Sequence, residues 1–447
     1  MNQEKKKVHE EESPGDRKSR MLSLYIVHFC MMIFSLGYSI VLTGVLPYLR
    51  RLTSFDQNTL LELFGWMVAI NPIGQMLFSP LLGWLTNRLG SIRITCIITC
   101  LLYIIGNILY SCLSLFPHDK EEDKGWLRAG FMLFGRLLVG IGTANQAPIR
   151  AYIAGATFNH ERNLHISILS LFQTLGFMIG PALQSALTPL GCSEDYQSGS
   201  LHIDMYTITG WLSAAVGIIS LITFFPGIFT EHNVASKEVA QINEESNSKE
   251  DILSIQPDLY AVVALIFAFF VFLFNFILLE TIGTPLCMQQ LGWEESTAIR
   301  NLGIIMAVGA VVSMLCYGSV PIITKKFDER LIYIFCGLVP MFLARIIVLP
   351  IPGQETPDML YFKLEPNQTD PGYSLRSSDF DQFGLRNIDC DESEDVEPPG
   401  CAFKWCEYTP AILEAQFYVH YAMSSLAFPY CTAICQAMFR SVNTRNI

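Results

Sequence analysis

The chain has 447 residues, of which 51% are hydrophobic and only 16% charged, with a formal net charge of −12. Soluble domains carry about 25% charged residues, so this composition excludes an ordinary soluble enzyme, and nothing in it suggests a nucleic-acid partner. Apolar runs of about 20 residues, long enough to cross a hydrocarbon core of about 30 Å as helices, alternate with short polar stretches. The fold class is therefore all-α, a polytopic membrane protein.

Residues 1–20 (MNQEKKKVHEEESPGDRKSR) are polar and mixed in charge, with no cleavable signal peptide, so the first apolar run acts as an internal anchor. Ten spans are predicted, at roughly 22–47, 63–85, 93–116, 127–149, 165–188, 205–228, 258–282, 298–320, 331–350 and 411–438. They are apolar all round, which excludes amphipathic surface helices. Six fall in an N-terminal bundle, 21–228. The polar linker 229–257 has no core to fold around. Four more make a partial C-terminal bundle, 258–438, and 439–447 form a short tail. Sixteen Lys/Arg lie on the side of the first tail and six in the short loops opposite, so both termini are expected in the cytosol.

The loop 351–408 carries thirteen Asp/Glu and four Lys/Arg, a net of −9, and reads most simply as a solvated, poorly ordered face on the far side. Within it, Asn367-Gln368-Thr369 fits the N-glycosylation pattern, which agrees with the charge-derived topology. Cys390, Cys401 and Cys406 lie there too, where oxidation is possible. Cys401 and Cys406 could close a small ring, with Cys192 in another far-side loop as a rival partner. Spacing leaves the connectivity open.

Between the second and third spans stands Gly83-x3-Asn87-Arg88-x-Gly90-x2-Arg93. The fourth span holds Arg136-x3-Gly140-x-Gly142, and the fifth Gly176-x3-Gly180-Pro181. In this order, in a layout of six spans and a linker, these segments resemble the loop, fourth-helix and fifth-helix signatures of the major facilitator superfamily. Gly83, Gly140, Gly142, Gly176 and Gly180 are expected to let helices approach closely, and Pro181 to bend its span. The resemblance implies two helical bundles and transport of a small solute by alternating access. It also implies a latch from the acidic loop position to an eleventh helix. Here that position is neutral Asn87, and ten of the family's twelve spans are predicted. The second bundle is therefore expected to be incomplete, with another chain covering it or with transport lost.

A closer resemblance, to a lysosomal branch of that superfamily, runs from about residue 20 to 438. It is carried by Arg150-Ala-Tyr-Ile-Ala-Gly-Ala-Thr157, Leu279-Glu-Thr-Ile-Gly-Thr-Pro-Leu286 and Pro399-Gly-Cys401 with Trp405-Cys406. It implies an endolysosomal membrane, with chloride permeation as the alternative activity.

Ionisable groups inside a bilayer are costly and default to functional candidates. Arg136, about ten residues into the fourth span, is the first choice, to hold an anion or to respond to protonation of a nearby carboxylate, with a structural ion pair as the alternative. Arg150 lies at the mouth of the same span. Glu280, near the far end of the seventh, is the candidate to titrate in an acidic lumen, with a seat in headgroup water capping Thr281 and Thr284 as the alternative. Asn71, Gln75 and Gln173 could line a path or serve as interhelical glue. Arg345 is close enough to an end to snorkel, and His28 and His420 sit in no metal-ligand spacing. No nucleotide loop, catalytic triad or metal cluster is read, so neither an enzymatic activity nor a cofactor is expected.

Overall fold

Ser13 sets the first helix. Its backbone is extended, its side chain accepts from the Asp16 amide, and Pro14 takes the first turn, where its missing amide costs nothing. Helix α1 (Pro14–Leu42) therefore begins inside the stretch expected to be a tail. Arg20, in its second turn, is fully buried, with Nη1 2.9 Å from Glu161 Oε2 and its guanidinium 4.9 Å from the Phe158 ring.

The computed structural model describes residues 13–116, 125–191, 201, 203–234, 259–324, 326–350, 400–401, 406 and 408–444. After α1 come α2 (Val45–Leu52), α3 (Gln57–Leu89), α4 (Ile92–Ser111), α5 (Trp126–Thr143), α6 (Gln146–Ala156), α7 (Asn159–Leu187) and α8 (Thr207–Thr223). Then follow α9 (Leu259–Gln290), α10 (Glu295–Ile323), α11 (Glu329–Ile332), α12 (Val339–Ile347) and α13 (Glu414–Thr444). Among the described residues, eight helical stretches are long and apolar enough to cross a membrane. The sixth and tenth predicted spans correspond to α8, an apolar helix of 17 residues, and α13, of 31.

At three prolines a hydroxyl from another helix serves the carbonyl that the ring leaves without a donor. A proline at position i leaves the carbonyl of i−4 without its amide donor. Pro47 frees Thr43 O, where α1 gives way to α2, and Thr284 Oγ1 on α9 donates to it at 3.3 Å. Pro148 frees Ala144 O, at the step from α5 to α6, and Ser79 Oγ on α3 donates at 3.2 Å. Pro429 frees Ser425 O inside α13, and Ser313 Oγ on α10 donates at 2.7 Å. In a hydrocarbon phase each such carbonyl would otherwise stay unsatisfied. Ahead of Pro340 the helix instead widens into a π turn over Tyr333–Leu338, joining α11 to α12. The fourth predicted span is accordingly longer than expected, continuing past the break through α6 to Ala156.

Small residues then decide which helices touch. A Cβ at Gly176 or Gly180 would strike α1, at Met32 O and Ser39 Oγ respectively. One at Gly140 would strike Asn71 O on α3, and one at Gly142 would lie 2.8 Å from Thr99 O on α4. Gly83 is a correction: among the described residues nothing lies within 4 Å of its Cβ position, so it seats no neighbouring helix. Its place in α3 is helical, and no close approach requires it.

Apart from Cys401, Cys406 and Ala411, the described buried apolar residues that cluster fall into two sets. One gathers residues of α1 to α8, with Ile299 of α10 joining it. The other gathers residues of α9 to α13. The join runs along α7 and α10. Gly303 sits against Pro181 O and Ser185, Ser185 Oγ donates to Arg300 O at 2.7 Å, and the Thr174 and Tyr317 hydroxyls are 3.2 Å apart.

The polar linker also departs from expectation at its start. Phe229 is fully buried, packing on Phe224 and Tyr152. The Thr230 hydroxyl is 2.6 Å from Ser19 Oγ, and the Val234 amide donates to Gly155 O at 2.9 Å. One aromatic and the hydroxyls around it supply the core that composition alone did not suggest. The linker beyond Val234 lies outside the described residues.

Candidate functional site

Arg136 projects from α5 into the first set of helices and is 1% exposed. Its guanidinium carbon lies 5.8 Å from the Tyr38 ring centroid on α1. Its Nε and Nη2 have no hydrogen-bond partner among the described residues, and no described carboxylate pairs with it. Burying an unpaired cation costs several kcal/mol, and an aromatic face offsets about 2 kcal/mol or more of it when desolvated. The remainder would be relieved by an anion arriving from outside. Tyr38 in turn meets Phe177 of α7 edge-on, with centroids 5.8 Å apart.

The uncharged candidates divide. Asn71 Nδ2 donates to Arg136 O at 3.4 Å and Gln75 Nε2 to Thr143 Oγ1 at 2.7 Å, so both tie α3 to α5. Arg150 and Gln173 are brought together: Arg150 Nη2 donates to Gln173 Oε1 at 2.6 Å, and Gln173 Nε2 to Gln146 Oε1 at 3.1 Å. That chain of polar groups joins α6 to α7. The side chain of Glu280 lies outside the described residues, as do Asn367, Cys192 and Cys390.

The residues that sequence reasoning set aside define the space between the two sets of helices. A cavity there is walled by Phe177 and Met178 of α7 on one side, and by residues of α9, α10, α12 and α13 on the other. Arg345 reaches it from α12 and does not snorkel outward. Its Nη1 is 3.0 Å from His420 Nε2, and its Nη2 donates to Asn275 O at 2.9 Å. His420 is buried, with Nδ1 2.7 Å from Ala344 O. The free space is about 40 Å³, room for about three waters at roughly 10–15 Å³ each. The two side chains stand 75 residues apart. A charged residue in an apolar run was the available signal for Arg345. Nothing in the sequence pointed to its partner.

At the other motif, Gly90 closes α3 in the left-handed conformation (φ 63°), the position where a Cβ is disfavoured. Asn87 and Arg88 are exposed, and Arg88 lies over the Trp84 ring at 5.1 Å. The acid that holds this loop is Glu231, from the chain following α8. Its Oε1 accepts from Ser91 Oγ at 2.6 Å and from the Arg93 amide at 3.0 Å, while Arg93 Nη2 donates to Phe229 O at 2.7 Å. Away from these sites, Cys401 and Cys406 are joined as a disulfide, with Cα atoms 6.1 Å apart and both residues buried.

Comparison with known proteins agrees with this architecture. The Major Facilitator Superfamily model matches residues 27–362. Major facilitator superfamily domain-containing protein 8 of Xenopus laevis is 33% identical over 439 residues, covering 96% of this chain and 81% of that protein. The class D tetracycline resistance protein of Salmonella ordonez is 23% identical over 309 residues, 69% of this chain and 68% of its own. The xylose transporter XylE from E. coli, solved in a partially occluded inward open conformation, shares the fold. Its TM-score is 0.59 over 96% of this chain and 90% of that one, at 13% identity. By the family match and the similarity along nearly its whole length, the chain belongs to the major facilitator superfamily of membrane transporters.

Proposed function

We propose that the protein moves a small solute across an endolysosomal membrane by alternating access of its two sets of helices, with both termini in the cytosol and Asn367 glycosylated in the lumen. The observation that carries this reading is the cavity between α7 and the second set, with a cation on either side of the join, Arg136 buried and Arg345 half-buried. Relative rocking of two bundles about such a midplane space is how this architecture exposes a site to either side in turn. Arg136 is the residue assigned to the solute or its counter-charge in the first set, because its guanidinium is desolvated without a described anion. The endolysosomal part of the reading rests on the resemblance to a lysosomal branch of the superfamily carried by Arg150–Thr157, Leu279–Leu286 and Pro399–Cys406.

Proteoliposome counterflow of radiolabelled amino acids, sugars and monocarboxylates tests it. Saturable exchange by the intact chain, lost in Arg136→Ala, is the expected result. Unchanged exchange in that variant would remove Arg136 from the mechanism.

A second reading, anion permeation, is favoured by Arg136 and Arg150 together. Both are cations on one broken span, and neither pairs with a described carboxylate. Patch-clamp of enlarged lysosomes separates the two: chloride current without saturable counterflow supports permeation, and counterflow without current supports the carrier.

A further inference from the structure

We propose that the cavity between α7 and the second set of helices binds a small organic monoanion, an apolar body ending in one carboxylate. Arg345 is its anchor, and His420 positions that anchor. The proposal deepens the transporter reading and rests on it for the purpose of the site.

Hydrogen-bond roles follow from geometry. A carbonyl oxygen only accepts, so the 2.7 Å contact of His420 Nδ1 with Ala344 O places a proton on Nδ1. In the neutral ring Nε2 is then an acceptor, and it takes a proton from Arg345 Nη1 at 3.0 Å. Asn275 O takes another from Nη2 at 2.9 Å. A guanidinium has five N–H groups. Two are held by neutral acceptors, and the Nε–H has no partner among the described residues. The guanidinium is thus fixed in orientation, while its charge is compensated by no described carboxylate. Its planar fork suits a carboxylate, which can accept two parallel hydrogen bonds.

The rest of the wall selects the body of the ligand. Phe177, Phe276 and Phe428 with Met178, Met306 and Met341 present rings and thioethers. A sugar would leave its hydroxyls against these groups without acceptors, which is costly. An aliphatic or aromatic body would displace water from them, and methionine adapts to varied shapes. Arg345 is the single cation among the described lining residues, so one negative charge is matched and a second is not. Ser424 Oγ, also on the wall and without a partner among the described residues, offers one further hydrogen bond. The present space of about 40 Å³ admits the headgroup and not the body, so the two sets of helices must part to take the ligand in.

The test is equilibrium binding of radiolabelled benzoate to the full chain in nanodiscs, competed by benzyl alcohol and benzylamine of nearly the same shape. Oleate serves as the arm for a bilayer-derived carboxylate. Benzoate should bind saturably, and the alcohol and amine at least about 10-fold more weakly, the worth of a charge-assisted hydrogen bond or more. Arg345→Gln should erase the preference for benzoate. Arg345→Lys, which keeps the charge and loses the fork, should retain part of it and guards against a variant that fails to fold. His420→Leu should shrink the preference while leaving benzyl alcohol affinity unchanged, and His420→Gln, which restores an acceptor, should recover part of it. A merely structural histidine would shift all three ligands together.

Equal binding of benzoate and benzyl alcohol by the unmodified chain overturns the proposal. So does oleate binding that persists in Arg345→Gln, which would mark the cavity as a lipid crevice. Benzoate bound but never exchanged in counterflow refutes transport and leaves the site standing. Exchange of another solute without benzoate binding refutes the site and leaves transport.

Discussion

Ser313 and Pro429 allow the proline-and-hydroxyl pairing to be measured. Ser313 is 1% exposed, and its Oγ donates to Ser425 O at 2.7 Å, the carbonyl that Pro429 deprives of its helical donor. Ser313→Ala leaves that oxygen without a donor. Loss of a partner to a buried polar group costs about 1–3 kcal/mol in general. Interhelical hydrogen bonds in a membrane protein average about 0.6 kcal/mol and reach about 1.7. The short distance and the absence of a competing backbone amide put this bond toward the upper part of that range, about 1 kcal/mol. In a Pro429→Ala background, residue 429 regains its amide and can donate to Ser425 O, so Ser313→Ala should then cost close to nothing. The assay is unfolding of the four purified proteins by SDS in mixed micelles, followed by tryptophan fluorescence. The expected coupling energy is about 1 kcal/mol, well above the scatter of about 0.3–0.5 kcal/mol for independent sites. If Ser313→Ala costs the same in both backgrounds, the hydroxyl does not serve the freed carbonyl and the pairing is incidental.

Other outcomes follow from the same geometry. Gly176→Ala should destabilise by about 1–3 kcal/mol, because the added carbon meets backbone on α1 that no side-chain rotation moves aside; the same SDS titration reads it. Glu231→Ala should speed amide exchange at Arg93 by roughly 3- to 10-fold, since its amide and the Ser91 hydroxyl lose a carboxylate acceptor that is solvent-exposed; unchanged exchange would show that the clasp is not held by Glu231. Arg128 is fully buried and donates to Phe116 O, Leu52 O and Ser114 O, so Arg128→Met should lower the thermal midpoint by leaving three carbonyls short of a donor. Cys401→Ser should free Cys406 to react with maleimide in the folded protein after mild opening of the loop, while Cys30 and Cys96, fully buried, should not react.

Much of the fold was legible because a bilayer imposes a local rule. About 20 apolar residues in a row must be helical, since no other local structure satisfies its own backbone in hydrocarbon. The ten predicted runs accordingly correspond to helices. Boundaries were less legible. The first helix starts at Pro14 because Ser13 caps it, and a polar terminal turn reads as a tail when hydropathy is the guide. The fourth span runs on to Ala156 because Ser79 repairs the break before Pro148, and that serine is distant in sequence.

The candidate site was legible only in part, for a related reason. Arg136 stood out as a charge in an apolar run, and the structure buries it against Tyr38. Asn71 and Gln75 stood out equally and hold helices together, because a polar side chain in a span looks the same whether it faces a cavity or a neighbour. Gly83 belongs to the family motif, yet nothing described lies within 4 Å of its Cβ position, so a small residue in a signature did not imply a close helix approach.

What the sequence by itself determined is the membrane class, the helical fold class and the superfamily, since these depend on composition within one run and on motifs spaced within a few turns. The tertiary structure decided which polar groups meet. His420 finds Arg345 and Asn275 O, and Glu231 holds the loop between α3 and α4. Thr284, Ser79 and Ser313 find the carbonyls that prolines release. Each pairing depends on the rotation of one helix about its axis relative to another. That rotation is set by close packing at residues such as Gly176 and Gly140, and packing is a property of two surfaces together.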